Sequence, residues 1–392
     1  MGAEKMVRLG KRINLVVCQK SKVQDWIDHF VENYENLSIY NLTDKMQFDW
    51  FLEGIGLQEN KVAIINYDLL FRRPVLKQLT DFTLMLDESS LIQNPTAKRT
   101  KFILGMNPSN VIMLSGTVCG GKYENLWTQI HLLGWTISQD MYNRQYVNWT
   151  LTRDDGSGIR HKIVDKNDPY KNVERLKMKL REHGVVFMKT EECFELPEQT
   201  FITVNCGSSK EYRKFKKDSI VKIGDTELIG DTVFSKMLYM RMLCGQYNKE
   251  KLESFKDLLE STNDRLIVFY NFNEELCQLK NVAEELGRQT SEVNGHVKDL
   301  AAYECEDNSI TFVQYQAGAK GLNLQKANKI IYFTPTQSCE DWMQSQKRIH
   351  RIKQTKPCFY YLMVCENSVE ENIYDALQKG VDFTNELFKG VL

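Results

Sequence analysis

Net charge is almost absent from this chain: 51 Lys and Arg face 52 Asp and Glu, a formal −1 over 392 residues. No protein-wide basic field exists to draw in nucleic acid, so any such contact must come from local patches. Metal-type cysteine spacing is missing as well. Ten cysteines are scattered, the closest pair, Cys358 and Cys365, has six residues between them, and no C-x-x-C occurs. A zinc site is therefore not expected, and free thiols in a reducing cytoplasm are. No apolar run approaches the length of a membrane span. The opening residues hold no signal-type apolar stretch, and Met6 stands where an N-myristoylation signal wants Ser or Thr. Short-period repeats and low-complexity tracts are lacking. What remains is ordinary for a soluble globular protein, with 42% hydrophobic and 26% charged residues, and the length suggests two or three domains.

Short apolar runs recur, each followed by a longer amphipathic segment. Ile13–Cys18, 62–66, 82–86, 111–114, Leu266–Tyr270, 311–315, 330–333 and 358–364 read as strands. They are near-continuous and not alternating, which fits parallel strands buried on both faces. Strands alternating with helices argue for an α/β doubly wound architecture. The strands fall into two sets, before about Leu114 and after about Leu266. Between them, residues 154–158 read as a turn, and 172–183 and 236–260 as helices. Leu196-Pro197-Glu198 breaks the chain. The resulting division is an N-terminal lobe over 1–136, a helical insertion and linker over 137–197, and a C-terminal lobe over 198–392.

Several short segments at strand ends carry chemistry. Asp87 and Glu88 follow the apolar run 82–86, where α/β sheets bind ligands. Paired carboxylates there suit a hydrated Mg²⁺, although an acidic turn capping the next helix has the same appearance. Ser115-Gly116-Thr117 follows another strand. Gly318, Gly321 and Asn323 follow a third, where glycines let backbone approach a phosphate closely; a plain surface loop is the alternative. If 344–354 is helical, Gln344, Arg348 and Arg351 lie at i, i+4 and i+7 on one face, two planar guanidiniums suited to a polyphosphate. A solvated basic face reads the same way. Lys20, Ser21 and Lys22, and Asn271 within Tyr270-Asn271-Phe272, are candidates for sugar-phosphate contact, or solvated loops. Trp26, Ile27 and Phe30 have helical core spacing.

Taken in order, Asp87-Glu88-Ser89-Ser90, Ser115-Gly116-Thr117, Gly318-Ala319-Lys320-Gly321-Leu322-Asn323-Leu324 and Gln344…Arg348…Arg351-Ile352-Lys353-Gln354 resemble the motor core of superfamily 2 (DEAD/DEAH-box) helicases, most closely its Swi/Snf-type DNA translocase branch. The resemblance runs from roughly residue 3 to the C-terminus. It implies two RecA-like parallel-sheet lobes in tandem and ATP-driven movement on double-stranded DNA. Asp87 would hold Mg²⁺ and Glu88 orient the attacking water. Arg348 and Arg351 would be arginine fingers, with Gln344, Gly318, Gly321 and Asn323 at the nucleotide and Ser115, Gly116 and Thr117 coupling the lobes.

Such motors also need a glycine-rich loop ending in Lys and Ser or Thr to cradle phosphate. None occurs in these residues; Gly2-Ala3-Glu4-Lys5-Met6 lacks the hydroxyl. Measured against the family, the chain starts just after that loop, so the first lobe is expected to lack the phosphate-loop strand. That strand is expected to be central, its loss opening a buried slot in the sheet. Two functions follow as expectations: a motor impaired in this form, or a non-hydrolysing DNA-binding subunit completed by an upstream polypeptide. The compactness suggests a prokaryotic or phage protein.

Overall fold

The computed structural model describes residues 2–153, 160–186, 195–315 and 322–388. Two compact units result, Met1–Phe187 with Phe383–Leu392, and Met188–Asp382.

In the first unit the order is α1 (Gly2–Arg8), β1 (Ile13–Cys18), α2 (Val23–Asn33), β2 (Ser38–Asn41), α3 (Lys45–Glu53), β3 (Lys61–Asn66), α4 (Tyr67–Leu70), β4 (Phe82–Asp87), α5 (Lys98–Leu104) and β5 (Asn110–Leu114). The five strands form one sheet in the order β2-β3-β1-β4-β5, every neighbouring pair parallel. β1 and β3 are buried at all six positions. Leu15 and Val17 enter one core with Phe48, Leu84 and Ile103, while Val16 and Cys18 enter another with Phe30 and Met85. Burial on both faces is why these strands read as unbroken apolar runs. α3 begins where the Asp44 side chain accepts the Gln47 N–H, an ordinary N-cap.

The expected slot in mid-sheet is not there. β1 pairs directly with β4, Ile13 opposite Phe82 through Val17 opposite Leu86, and β4 pairs directly with β5. Among the described residues the sheet instead ends at β5, whose five residues are all only half-buried. β5 is thus an edge strand, whose free side leaves no void inside the sheet.

Beyond β5 come α6 (Trp127–Leu132), α7 (Gln139–Tyr146), the antiparallel ribbon β6 (Trp149–Arg153) and β7 (Arg160–Val164), and α8 (Val173–Glu182). A core in which Tyr123, Tyr142 and Tyr146 pack with Ile130 and Leu176 holds the helices together.

The second unit centres on β8 (Gln199–Cys206), a hairpin of β9 (Ile220–Ile223) and β10 (Thr226–Ile229), then β11 (Leu266–Tyr270), β12 (Thr290–Val293), β13 (Lys298–Asp299), β14 (Ile310–Gln314), β15 (Lys329–Tyr332) and β16 (Cys358–Cys365). Seven of them form a sheet in the order β13-β12-β14-β11-β15-β16-β8, parallel except for β13 against β12. The helix expected over 236–260 is two helices, Val233–Cys244 and Lys249–Glu260. The break falls at Gly245, and Asn248 starts the second helix by accepting the Lys251 N–H at 3.2 Å. The turn at 154–158 lies outside the described residues.

Candidate nucleotide and DNA-contact residues

Three neighbouring strands of the first sheet deliver three of the singled-out segments to one sheet end. Lys20–Lys22 follows β1, Asp87 closes β4, and Ser115–Thr117 follows β5; Asp87 stands opposite Leu114 in register. Parallel strands bring their C-terminal ends together, so this convergence is a product of topology.

Glu88 has φ 60°, the left-handed region that a residue with a Cβ rarely enters. Its Oε1 accepts the Ser115 hydroxyl at 2.8 Å and the Ser90 hydroxyl at 3.0 Å. The acidic segment is thus joined directly to the serine after β5. Ser115 Oγ also accepts the Thr117 N–H at 3.2 Å, across Gly116. The Thr117 hydroxyl is buried without a partner.

Asp87 is half-buried, and its Oδ2 accepts the indole N–H of Trp26 at 2.9 Å. Tyr67 donates its hydroxyl to the Asp87 carbonyl at 3.0 Å. Spacing alone marked Trp26 as core. Its ring does stack on Phe30, centroids 5.8 Å apart, but a half-buried indole also needs somewhere to send its N–H, and this was the available clue. Burial first, then the Asp87 charge, pushes the Cys18 thiol up to about 12. Asp87 offers a hard, strand-end carboxylate of the kind that holds hydrated Mg²⁺. Lys20 and Ser21 are exposed, and Lys22 pairs with Asp25 at 2.6 Å.

In the second unit, the helix read over 344–354 ends early. It spans Cys339–Gln346 and gives way to turns, so Gln344, Arg348 and Arg351 do not share a helical face. Arg348 folds back instead. Its Nε donates to the Gln344 carbonyl (2.9 Å), Nη2 to Gln344 Oε1 (2.9 Å) and Nη1 to the Leu322 carbonyl (2.8 Å). The guanidinium and Gln344 are buried, whereas Arg351 is exposed. Arg348 therefore ties the loop after β14 to the helix end. Asn323 is exposed; Gly318 and Gly321 lie outside the described residues.

Asn271 is clamped at the end of β11. Its Nδ2 donates to Thr334 Oγ1 at 2.9 Å and to the Pro335 carbonyl at 3.1 Å. Underneath sits Glu275, missed in the sequence because it looks like any helix acid. Its Oε2 accepts the N–H groups of Asn271 (3.0 Å) and Phe272 (3.2 Å) and the Thr334 hydroxyl (3.0 Å), while Oε1 has no partner. Burial raises its pKa to about 7, against the pull of those hydrogen bonds. A carboxyl whose folded pKa exceeds its unfolded one near 4.3 binds more protons folded than unfolded. Stability should then fall as pH rises from about 4.5 to 7. Glu275→Gln should remove that slope, gaining on the order of 2 kcal/mol over the native chain at pH 8 relative to pH 5. Parallel urea-unfolding curves for the two proteins would refute this.

With this geometry in hand, comparison with known proteins gives a family. The model for the SNF2-related domain matches residues 4–261, about two thirds of the chain. The chain belongs to the SNF2-related family. The helicase conserved C-terminal domain matches residues 250–353. Its two parallel-sheet units are RecA-like lobes in tandem. Among curated relatives, the mouse SWI/SNF-related matrix-associated actin-dependent regulator of chromatin subfamily A member 1 is 21% identical, over 92% of this chain and 37% of its own length. The chromatin structure-remodeling complex subunit snf21 of Schizosaccharomyces pombe is 22% identical, over 84% of this chain and 31% of its own. The chain thus spans about a third of the length of these relatives. Among solved structures, a Sulfolobus solfataricus SWI2/SNF2 ATPase core in complex with dsDNA aligns at 17% identity and a TM-score of 0.41, covering 99% of this chain and 85% of that one. Among the described residues, no helix is long and apolar enough to cross a membrane.

Proposed function

We propose that this SNF2-family chain is the motor module of an ATP-driven translocase on double-stranded DNA. The observation that carries the reading is the join at the first sheet's end, where Ser115 and Ser90 hold the Glu88 carboxylate next to Asp87. In this scheme Asp87 holds Mg²⁺, which neutralises phosphate charge when bound, and Glu88 aims the attacking water. The Ser115 hydroxyl would sense the state of Glu88 and pass it on through the Ser115–Thr117 turn. From the second lobe, Gln344 and the loop of Gly318, Gly321 and Asn323 would position the nucleotide, with Arg348 and Arg351 stabilising developing charge. Lys20, Ser21, Lys22 and Asn271 would contact the DNA backbone.

Purified alone, the 392-residue polypeptide should show little ATPase, because its sequence holds no phosphate loop, and positioning and charge stabilisation are most of phosphoryl-transfer catalysis. Robust DNA-stimulated turnover by this polypeptide would sink that expectation. The half-buried edge strand β5 favours a second form of the reading. There a separate polypeptide bearing the loop adds a parallel strand to β5 and completes the site. Mixing the chain with such a polypeptide and assaying ATPase, with and without duplex, tests it.

Duplex binding should be sequence-independent and salt-sensitive. Contacts confined to phosphates lose affinity with a log–log slope of about −0.9 per phosphate neutralised, and a net charge of −1 adds no long-range attraction. A salt titration on two unrelated duplexes of equal length checks this. Strong preference for one duplex, or indifference to salt, would argue for a sequence reader or a protein-binding module.

A further inference from the structure

The outer face of α3 runs against the usual pattern of a surface helix. Phe48, Phe51 and Leu52 turn inward and pack in the core shared with Leu15 and Val17. Met46, Asp49, Trp50 and Glu53, at i, i+3, i+4 and i+7, share the opposite face and are all exposed. A surface helix normally keeps that face polar, yet Met46 is 62% and Trp50 56% exposed. Asp49 and Glu53 are like charges at i, i+4, which destabilises a helix. Glu53 is also the last residue of α3, where the negative end of the helix dipole disfavours an acid, and the last turn holds no basic residue to balance it. Lys45 precedes Asp49 by one turn, the weaker order for such a pair. Among the described residues no ion pair engages Asp49 or Glu53.

Local rules that fail with no gain to the fold point to function. The chemistry of the face narrows what it can hold. Two carboxylates beside a helix C-terminus repel phosphate, so neither nucleic acid nor an anionic lipid surface suits it. A cation suits it twice, by charge toward Asp49 and Glu53 and by contact with the Trp50 ring, indole being the best aromatic for cation–π attraction. Met46 and the ring also offer apolar surface to the methylene stem of Lys or Arg. Trp is among the residues on which binding energy concentrates at protein interfaces.

We propose that this face of α3 docks an Arg- or Lys-rich segment of another polypeptide. One cationic side chain lies on the Trp50 ring, and its neighbours pair with Asp49 and Glu53. The surface uses none of the residues assigned to nucleotide or DNA, so it stands whether or not the motor reading does.

The test is fluorescence anisotropy of the full chain with a short labelled peptide of alternating Arg and Gly, against a Ser–Gly peptide of equal length. The Arg–Gly peptide should bind at least about tenfold more tightly and weaken as salt rises. Trp50→Ala should weaken it about fivefold, and Trp50→Phe less. Glu53→Lys separates binding from folding, because its two effects have opposite signs. It turns a repulsive i, i+4 pair into an attractive one and puts a cation at the helix C-terminus, so the urea midpoint should rise. Peptide affinity should meanwhile fall about tenfold. If Trp50→Ala does not fold, Glu53→Lys decides. Equal binding of the two peptides, affinity unchanged in Glu53→Lys, or affinity lost only in step with stability would overturn the proposal.

Discussion

Arg351→Ala is expected to leave the fold untouched and to cut DNA-stimulated ATP turnover about a thousandfold or more, when the chain is assayed with a polypeptide that supplies a phosphate loop. The magnitude is that of an arginine finger, about 10³–10⁵ in rate. The structural reason to separate Arg351 from Arg348 is burial. Arg351 is exposed past the end of the helix Cys339–Gln346, so truncation removes a charge and nothing that supports the fold. Arg348 is enclosed, its guanidinium spread over two carbonyls and the Gln344 amide. Arg348→Ala should therefore lower both turnover and stability, the latter by about 1–3 kcal/mol, because buried acceptors are left unpaired. Near-normal turnover in Arg351→Ala with the phosphate loop supplied would remove Arg351 from the mechanism. Loss of turnover in Arg348→Ala that merely tracks its unfolding would leave Arg348 as a structural tie.

The largest stability effect is expected at Lys251. Its ammonium is fully buried and meets both Glu370 oxygens, at 2.7 and 2.8 Å. Glu370 Oε2 accepts the Cys365 N–H as well, at 2.9 Å. The pair joins the helix Lys249–Glu260 to the helix Val369–Phe388 and to the end of β16. Burial by itself would depress the lysine's pKa, but the Glu370 charge and its hydrogen bonds more than offset that, and the net shift is upward. A lysine with a raised folded pKa contributes its full stability below its unfolded pKa and loses it only as pH climbs through the folded value. The contribution is thus intact at neutral pH. Lys251→Met should cost about 3–5 kcal/mol, since it strands a buried carboxylate. Adding Glu370→Leu should recover much of that loss, because an apolar pair of similar volume carries no uncompensated charge. Urea denaturation of the single and double variants measures both. A double variant no more stable than Lys251→Met would mean that packing, and not the stranded charge, dominates. Cys244, Cys365 and Glu370 bring ligand-type atoms within 4.8 Å of one another, but the Lys251 ammonium already occupies the carboxylate and would repel a metal cation.

Strands buried on both faces were legible, because such burial leaves an unbroken apolar run. Ile13–Cys18 and Leu266–Tyr270 match their predicted limits, and the other six anticipated strands differ by only a residue at one end or both. β8 escaped because it is an edge strand, its residues from Phe201 to Asn205 alternating between exposed and half-buried. β12, Thr290–Val293, escaped because it is short and largely polar. Charged and glycine-rich segments at strand ends were equally visible, since strand ends are where the sequence pattern changes. Their partners were not, because hydrogen bonds between residues far apart in sequence leave no local period. Trp26 to Asp87, Ser115 to Glu88 and Lys251 to Glu370 each span 27 residues or more. The sequence alone therefore determined the α/β class, the two strand sets and the order of the motor-like segments. Tertiary structure decided the rest. It ended the helix at Gln346, turned Arg348 inward and left Arg351 exposed. It paired β1, β4 and β5 without a gap and, among the described residues, ended the first sheet at β5. Such outcomes depend on which distant groups meet, and chain folding, not local propensity, brings them together.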